Sequence, residues 1–371
     1  MENLSLKKES LPTKIGNYKI IGRLGRGGMG DIYKARQKSL DRVVALKVLL
    51  PQMGRSEEFS KRFEIEAKAI SLLQHHNIVS IYEYGEEDGL KYFAMEFVDG
   101  VDLGQKISDS VNIDFKEIIT ISKQICRALR YAHKHNVIHR DIKPQNILID
   151  NNGECKLSDF GIARIFQSVN LTMTGMAVGT PEYMSPEQAE GIDLQNQTDI
   201  YSLGVVIYEM ITGIPPFTGN NPVSIAYKQV HELPLPPSVH RKNVPKRLEL
   251  IVLKALKKNK MERYASIEGM LDDLDTVDIN ETSLKPTIPV EITKKKAKEK
   301  RNSVTSSNRR ITDRRNGSRR NNREQGSTEF IELTKNSKII SFLSNSIKDQ
   351  ALSLSLILIL AVVLFLHIFV G

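Results

Sequence analysis

Between Tyr18 and Val98 apolar and polar positions alternate in five short runs, YKIIGRLG, GDIYKARQ, RVVALKVLL, IVSIYEYG and LKYFAMEFV, separated by glycine or polar residues. A period of two predicts half-buried strands. One stretch among them has a different period. From Glu57 to Gln74, Phe63, Ala67, Ile70 and Leu73 recur every three or four residues, which predicts a helix with one apolar face. After Gly100 the helical period takes over, in FKEIITISKQICRALRYAHKH and again in TDIYSLGVVIYEMITG. A small strand-rich lobe therefore precedes a larger helical lobe, an α+β arrangement, and clefts between such lobes are common ligand sites.

The pattern then fades. Aliphatic residues are frequent from about Asn17 to Asp275, but from Val277 to Lys338 Ser, Thr, Asn, Arg and Lys dominate. Such a segment cannot bury enough apolar surface to offset its ordering entropy, and disorder is predicted. Ala351 to Val370 reads ALSLSLILILAVVLFLHIFV, 20 residues without a formal charge. As a helix rising ~1.5 Å per residue it would span roughly 30 Å, the thickness of a bilayer's hydrocarbon core. Apolar residues on every face argue against a surface helix, and the polar segment before it offers a buried helix no partner. The segment reads as one C-terminal transmembrane helix that anchors the chain by its tail, and Lys335, Lys338 and Lys348 favour the cytoplasmic side for everything upstream. The predicted organisation is an N-terminal extension over 1–17, a two-lobed domain over 18–276 (lobes 18–97 and 98–276), a basic linker over 277–350 and the spanning helix over 351–370.

Composition narrows the picture. Of 371 residues 40% are apolar and 26% charged, which suits a water-soluble domain rather than a multi-span membrane protein. Cys126 and Cys155 cannot build a disulfide scaffold, no Cys/His cluster offers a metal site, and the first twenty residues hold no signal-peptide run, so a reducing cytoplasm is expected. The net charge of +9 suggests nucleic acid until it is located. Lys285 to Arg323 hold fourteen Lys or Arg against three acids, which leaves residues 1–284 essentially neutral. That stretch is a solvated linker, a lipid-surface ligand worth ~1 kcal/mol per nearby basic residue, or a nucleic-acid contact. The last is disfavoured, because no aromatic residue lies among the arginines to stack on bases.

Candidate chemistry begins at Gly25-Arg26-Gly27-Gly28-Met29-Gly30. The G-x-G-x-x-G spacing alone also fits dinucleotide-binding folds and ordinary turns. Here a strand pattern, Asp31-Ile32-Tyr33-Lys34-Ala35, follows, so the loop reads as a hairpin tip whose backbone can approach phosphates closely. Lys47 ends Val44-Ala45-Leu46-Lys47, and its aliphatic flanks call for a neutralising partner. Glu66 on the next helix is the candidate, with Glu64 the alternative on another face. His139-Arg140-Asp141-Ile142-Lys143-Pro144-Gln145-Asn146 then sets a carboxylate, an ammonium and an amide within six residues, and Asp159-Phe160-Gly161 follows thirteen residues on. Phosphoryl transfer needs Mg²⁺ held against phosphates and an acceptor hydroxyl oriented. Asp159 and Asn146 are hard oxygen ligands, Asp141 can accept the hydroxyl's hydrogen bond, and Lys143 can neutralise the moving phosphate.

These motifs, with Gly179-Thr180-Pro181-Glu182-Tyr183, Ser185-Pro186-Glu187, Asp199-Ile200-Tyr201-Ser202-Leu203-Gly204 and Arg263, resemble the eukaryotic-type serine/threonine protein kinases, and most of all their bacterial membrane-bound members, over about residues 18–275. The resemblance implies the two-lobed kinase fold and ATP with Mg²⁺, or Mn²⁺ in its place. It implies that Gly25, Arg26, Gly27, Gly28, Met29, Gly30 and Asp31 cover the phosphates, and that Lys47 holds the α- and β-phosphates while paired with Glu66. Leu24, Ile32, Ala45, Met95 and Leu148 would sandwich the adenine, with backbone groups of Glu96 and Val98 reading its edge. Asp141 would be the catalytic aspartate, with Asn146 and Asp159 as metal ligands. Lys143 and Thr180 match kinases that act on serine or threonine. Two departures stand out: Ser185 replaces the usual alanine before Pro186-Glu187, and Lys260 stands where a proline often precedes the late arginine.

Arg140 beside Asp141 would find its anion in a phosphorylated activation loop, and Thr172 and Thr174 are placed for that role. The expected protein is a tail-anchored kinase of the cell (inner) membrane, its catalytic domain cytoplasmic, acting on protein Ser/Thr acceptors and on itself by self-association. The alternatives are a kinase-like nucleotide-binding membrane scaffold and a small-molecule phosphotransferase.

Overall fold

The computed structural model describes residues 11–27, 30–49, 68, 70–160 and 180–281, all within one compact unit, residues 1–296. Glu66, Gly28, Met29, Thr172 and Thr174, most of the helix expected over Glu57–Gln74, and the segment expected to span a membrane lie outside the described residues. Among the described residues no helix is long and apolar enough to cross a membrane.

The alternating runs form an antiparallel sheet of six strands: β1 (Lys14–Ile15), β2 (Tyr18–Gly27), β3 (Gly30–Gln37), β4 (Arg42–Leu49), β5 (Ile81–Glu87) and β6 (Leu90–Glu96), in the order β1-β2-β3-β4-β6-β5. Strand periodicity sorts β4 into two faces. Val44, Leu46 and Val48 enter a core with Tyr18, Tyr33, Ala35, Tyr92 and Ala94. Ala45 and Lys47 share the other face, and their cross-strand partners are Met95 and Phe93.

The run IVSIYEYG becomes a strand only from Ile81. Its first residues do other work: Ile78 bridges Leu157, Val79 N–H donates to Leu157 O at 3.0 Å, and Leu157 N–H donates to Asn77 O at 2.9 Å. Asn77 then spreads its amide to Gln124 Oε1 at 3.0 Å and Cys155 O at 2.8 Å. The chain between the strand-rich and helical lobes is thus stitched by backbone bonds rather than by side-chain packing alone.

A second sheet, β7 (Gly100–Asp102), β8 (Ile147–Asp150) and β9 (Cys155–Leu157), sits on helices α1 (Leu103–Asp109) and α2 (Phe115–Lys134). Asp114 caps α2 by accepting from Lys116 N–H, and Ile118, Ile121, Ile125, Leu129 and Ala132 form its buried stripe. The rest of the lobe is α3 (Pro186–Glu190), α4 (Asn196–Thr212), α5 (Pro222–His231), α6 (Lys246–Ala255) and α7 (Ile267–Asp275). Every residue of α4 from Thr198 to Tyr208 is buried, so α4 is the central post against which α2, α6 and α7 pack. Packing continues beyond residue 276: Val277 rests on the core, and Glu281 O accepts Lys246 N–H at 2.8 Å.

Candidate active site

The described part of the glycine motif ends β2 and opens β3, which pair antiparallel, as the strand pattern after it required. Gly25 pairs with Ile32, Arg26 with Asp31 and Gly27 with Gly30. Arg26 Nε lies 3.4 Å from Asp31 Oδ1 and Arg23 3.7 Å from Asp31 Oδ2, so Asp31 ties the two strands just below the tip. Leu24 is half exposed on β2, whereas Ala45 is buried on β4. Leu148 lies on the face of β8 opposite the buried Ile147 and Ile149. Glu96 closes β6: its N–H donates to Ser80 O at 2.9 Å and its carboxylate meets Lys156 at 2.9 Å, which anchors the start of the connection through Val98 to β7.

Lys47 is buried, and its ammonium donates to Asp159 Oδ1 at 2.7 Å. The anion its aliphatic flanks demand is therefore met, among the described residues, by Asp159. Burial alone would raise the Asp159 carboxyl, but the charge and hydrogen bond of Lys47, with Lys143 and His139 beyond, hold it below the ordinary aspartate value. Lys47 and Asp159 also line one cavity with Phe93, Met95 and Phe160.

Asp141 accepts from Lys143 Nζ at 2.8 Å and from Asn146 Nδ2 at 3.1 Å, and the same Nδ2 donates to Asp141 O at 2.7 Å. The donor end of the Asn146 amide is thereby engaged, and its carbonyl oxygen is the end left for a cation. Ser158 N–H bonds Asn146 O at 2.9 Å, so the residue preceding Asp159 is fastened to Asn146. Two hard oxygen donors on adjoining segments fit a divalent cation shared with phosphates.

Two residues of the site stand in the left-handed region, Arg140 at φ 70° and Asp159, after β9, at φ 59°. Such backbone persists only where neighbours over-determine it. Asp199 does so for Arg140: fully buried on α4, it accepts His139 N–H at 2.9 Å, Arg140 N–H at 2.8 Å and a bond with His133 Nε2 at 2.7 Å. His139 braces the other end. Asp141 N–H donates to its Nδ1 at 3.2 Å, so Nε2 carries the hydrogen given to Ser158 O at 2.8 Å, and the ring packs tilted against Phe160 with centroids 4.4 Å apart. Burial pushes its pKa down, consistent with that neutral tautomer.

Beside Asp141 a shallow cleft is lined by Arg140, Ile142, Thr180, Tyr183, Met184 and Gln188. Ser185 and Gln188 form a reciprocal capping box on α3, and Gln188 Nε2 reaches Arg140 O at 2.7 Å. Glu187 is held by Arg263 through two 2.8 Å bonds. At the proline-to-lysine departure Asn259 caps the turn Lys260–Glu262 by accepting Met261 N–H, so the turn forms without proline. The motif reading assigned no part to His133, which bonds Asp199 66 residues on, or to Gln188, which reaches Arg140 O from 48 residues away.

The protein kinase domain family model matches residues 18–273. The chain is 44% identical over 263 residues to the serine/threonine-protein kinase PrkC of Bacillus subtilis, covering 70% of this chain and 40% of that protein. It is 43% identical over 263 residues to the serine/threonine-protein kinase PknB of Mycobacterium tuberculosis, covering 69% and 42%. The chain thus spans about two fifths of the length of these relatives. Among solved structures, the Mycobacterium tuberculosis PknI kinase domain is similar with a TM-score of 0.58 at 27% identity, over 72% of this chain and 98% of that one.

Proposed function

We propose, for a chain that belongs to the eukaryotic-type serine/threonine branch of the protein kinase family, transfer of the γ-phosphate of ATP to serine and threonine hydroxyls of proteins. The observation that carries this reading is two bonded groups, Lys47 of β4 with Asp159 at 2.7 Å and Asp141 with Lys143 and Asn146 of one loop at 2.7–3.1 Å, tied together by Ser158 N–H on Asn146 O at 2.9 Å. Asp141 orients the acceptor hydroxyl and takes its hydrogen bond, Lys143 offsets charge on the transferred group, and Lys47 grips the α- and β-phosphates, with Glu66 its partner by family resemblance. The hairpin from Gly25 to Gly30 covers the phosphates. Leu24, Ile32, Ala45, Met95 and Leu148 enclose the adenine beside the Glu96–Val98 backbone. Asn146 and Asp159 would hold the divalent ion, Mg²⁺ by the hardness of these donors with Mn²⁺ as substitute, which when bound neutralises charge on the phosphates.

In this reading the chain labels itself on Thr172 and Thr174 through self-association, and residues 351–370 tether it to the cytoplasmic face of the cell membrane with 277–350 as linker. Asp141→Asn and Lys47→Met should each lower ³²P transfer, to the chain itself and to a generic basic protein, by about a hundredfold or more. Undiminished label from both variants, with their thermal melts unchanged, overturns the assignment.

A further inference from the structure

The segment from Thr180 to Glu187 borders the cleft at Asp141, and three buried polar anchors from the helical lobe hold its backbone and side chains. Two act near its centre and end: Ser202 Oγ donates to Tyr183 O at 2.8 Å, and Arg263 pairs with Glu187. The third is Gln229 on α5, which is 0% exposed. Its amide nitrogen donates to Pro181 O at 3.1 Å and Glu182 O at 2.6 Å, which occupies both hydrogens. Its Oε1 accepts from Tyr201 OH at 2.6 Å. The hydroxyl oxygen of Tyr201 in turn accepts from Lys258 Nζ at 3.1 Å. Lys258 spends its other donors on Gln229 O at 2.6 Å and Lys228 O at 3.3 Å, with the Phe217 ring 4.1 Å away.

This chain of bonds has a direction. Lys258 fixes the tyrosine hydroxyl and the last turn of α5, the tyrosine fixes which end of the Gln229 amide faces it, and the amide then presents two donors to two adjacent carbonyls. No apolar residue at position 229 could satisfy those carbonyls, and a carboxylate there would repel them. Such a buried arrangement is costly unless every member is paired.

We propose that Gln229 is a positioning residue for the acceptor protein: through Pro181 and Glu182 it sets the platform on which the segment carrying the target hydroxyl lies. The inference rests on the protein kinase reading and adds a residue to it. Among the described residues Gln229 bonds none of the catalytic groups. Lys143 and Asn146 are held to Asp141. The Asp141 backbone is held by His139 and, through His139 and Arg140, by Asp199, with Gln188 reaching the loop only at Arg140 O. Lys47 is held by Asp159. Loss of the Gln229 bonds should therefore weaken acceptor binding while sparing nucleotide binding and the chemical step.

The test is steady-state kinetics of the full chain in detergent, with histone as acceptor. Gln229→Leu should raise the acceptor KM about tenfold, as expected for two stranded carbonyls, and leave the ATP KM and the kcat at saturating acceptor within about twofold of the parent. Tyr201→Phe removes one hydroxyl and keeps the ring, and should move the acceptor KM in the same direction by about threefold. If Gln229→Leu fails to fold, Tyr201→Phe decides alone. An unchanged acceptor KM, or a kcat and ATP KM that deteriorate in step with it, overturns the inference. A parent chain that labels no acceptor sinks the kinase reading itself, and this inference with it.

Discussion

Asp199 holds Arg140 in a left-handed backbone conformation by accepting its N–H at 2.8 Å, while its second oxygen takes His139 N–H at 2.9 Å. The carboxylate is fully buried in the first turn of α4, and its three partners belong to α2 and to the loop that carries Asp141. Asp199→Asn keeps the shape but turns an NH₂ group toward a donor. Leaving one buried N–H unpaired should cost about 2–3 kcal/mol, read as a lower urea midpoint at unchanged slope. A loop displaced by about 1 Å should also cut the phosphoryl-transfer rate about a hundredfold. Retained kcat would show that Asp199 serves stability alone.

Glu187 gives a prediction in pH. Burial alone would raise its carboxyl, but the hydrogen bonds and charge of Arg263, followed by Thr198 Oγ1 at 2.9 Å, hold it below the ordinary glutamate value of 4.5. A depressed carboxylate contributes stability that is fully present above its unfolded pKa and is lost as pH falls through the folded one. Urea midpoints should therefore hold near neutrality and fall below about pH 4.5. Glu187→Gln should start lower at pH 7 and show a shallower acid decline. Parallel pH curves for the two proteins would remove Glu187 from the acid response.

The local structures that formed as expected have a common physical basis. The paired strands on either side of the glycine motif, the strand carrying Lys47 and the Asp141–Asn146 loop each gather their defining residues within a short stretch, where period and spacing are readable. Lys47 needed an anion because its flanks are aliphatic. Glu66, the partner expected on the following helix, lies outside the described residues, and among the described residues Lys47 meets Asp159, 112 positions on. His133, Gln188 and Gln229 escaped the motif reading because their partners lie 28 to 66 residues away, and a polar residue on a helix looks identical in sequence whether it faces water or a buried polar group. The start of IVSIYEYG looked like strand and does form backbone bonds, but Ile78 and Val79 bond Leu157 on β9 before Ser80 reaches Glu96 on β6, a choice only the tertiary fold makes.

Two glycines of one motif separate structure from ligand contact. A Cβ on Gly30 would lie 1.9 Å from Val48 O and 2.8 Å from its carbonyl carbon, backbone atoms of the neighbouring strand that cannot move aside without breaking the β3–β4 register. A Cβ on Gly25 meets nothing within 4 Å. Gly30→Ala should therefore destabilise the strand-rich lobe by about 1–3 kcal/mol, in the range of overpacking, and lower the thermal midpoint without nucleotide present. Gly25→Ala should leave that midpoint unchanged. If the backbone at Gly25 approaches phosphates, its effect must instead appear as a higher KM for ATP, because the added methyl occupies space the phosphates would use. Equal loss of stability in both variants would mean that the motif's glycines serve the hairpin fold alone. A stable Gly25→Ala protein with an unchanged KM for ATP would take Gly25 out of the nucleotide site.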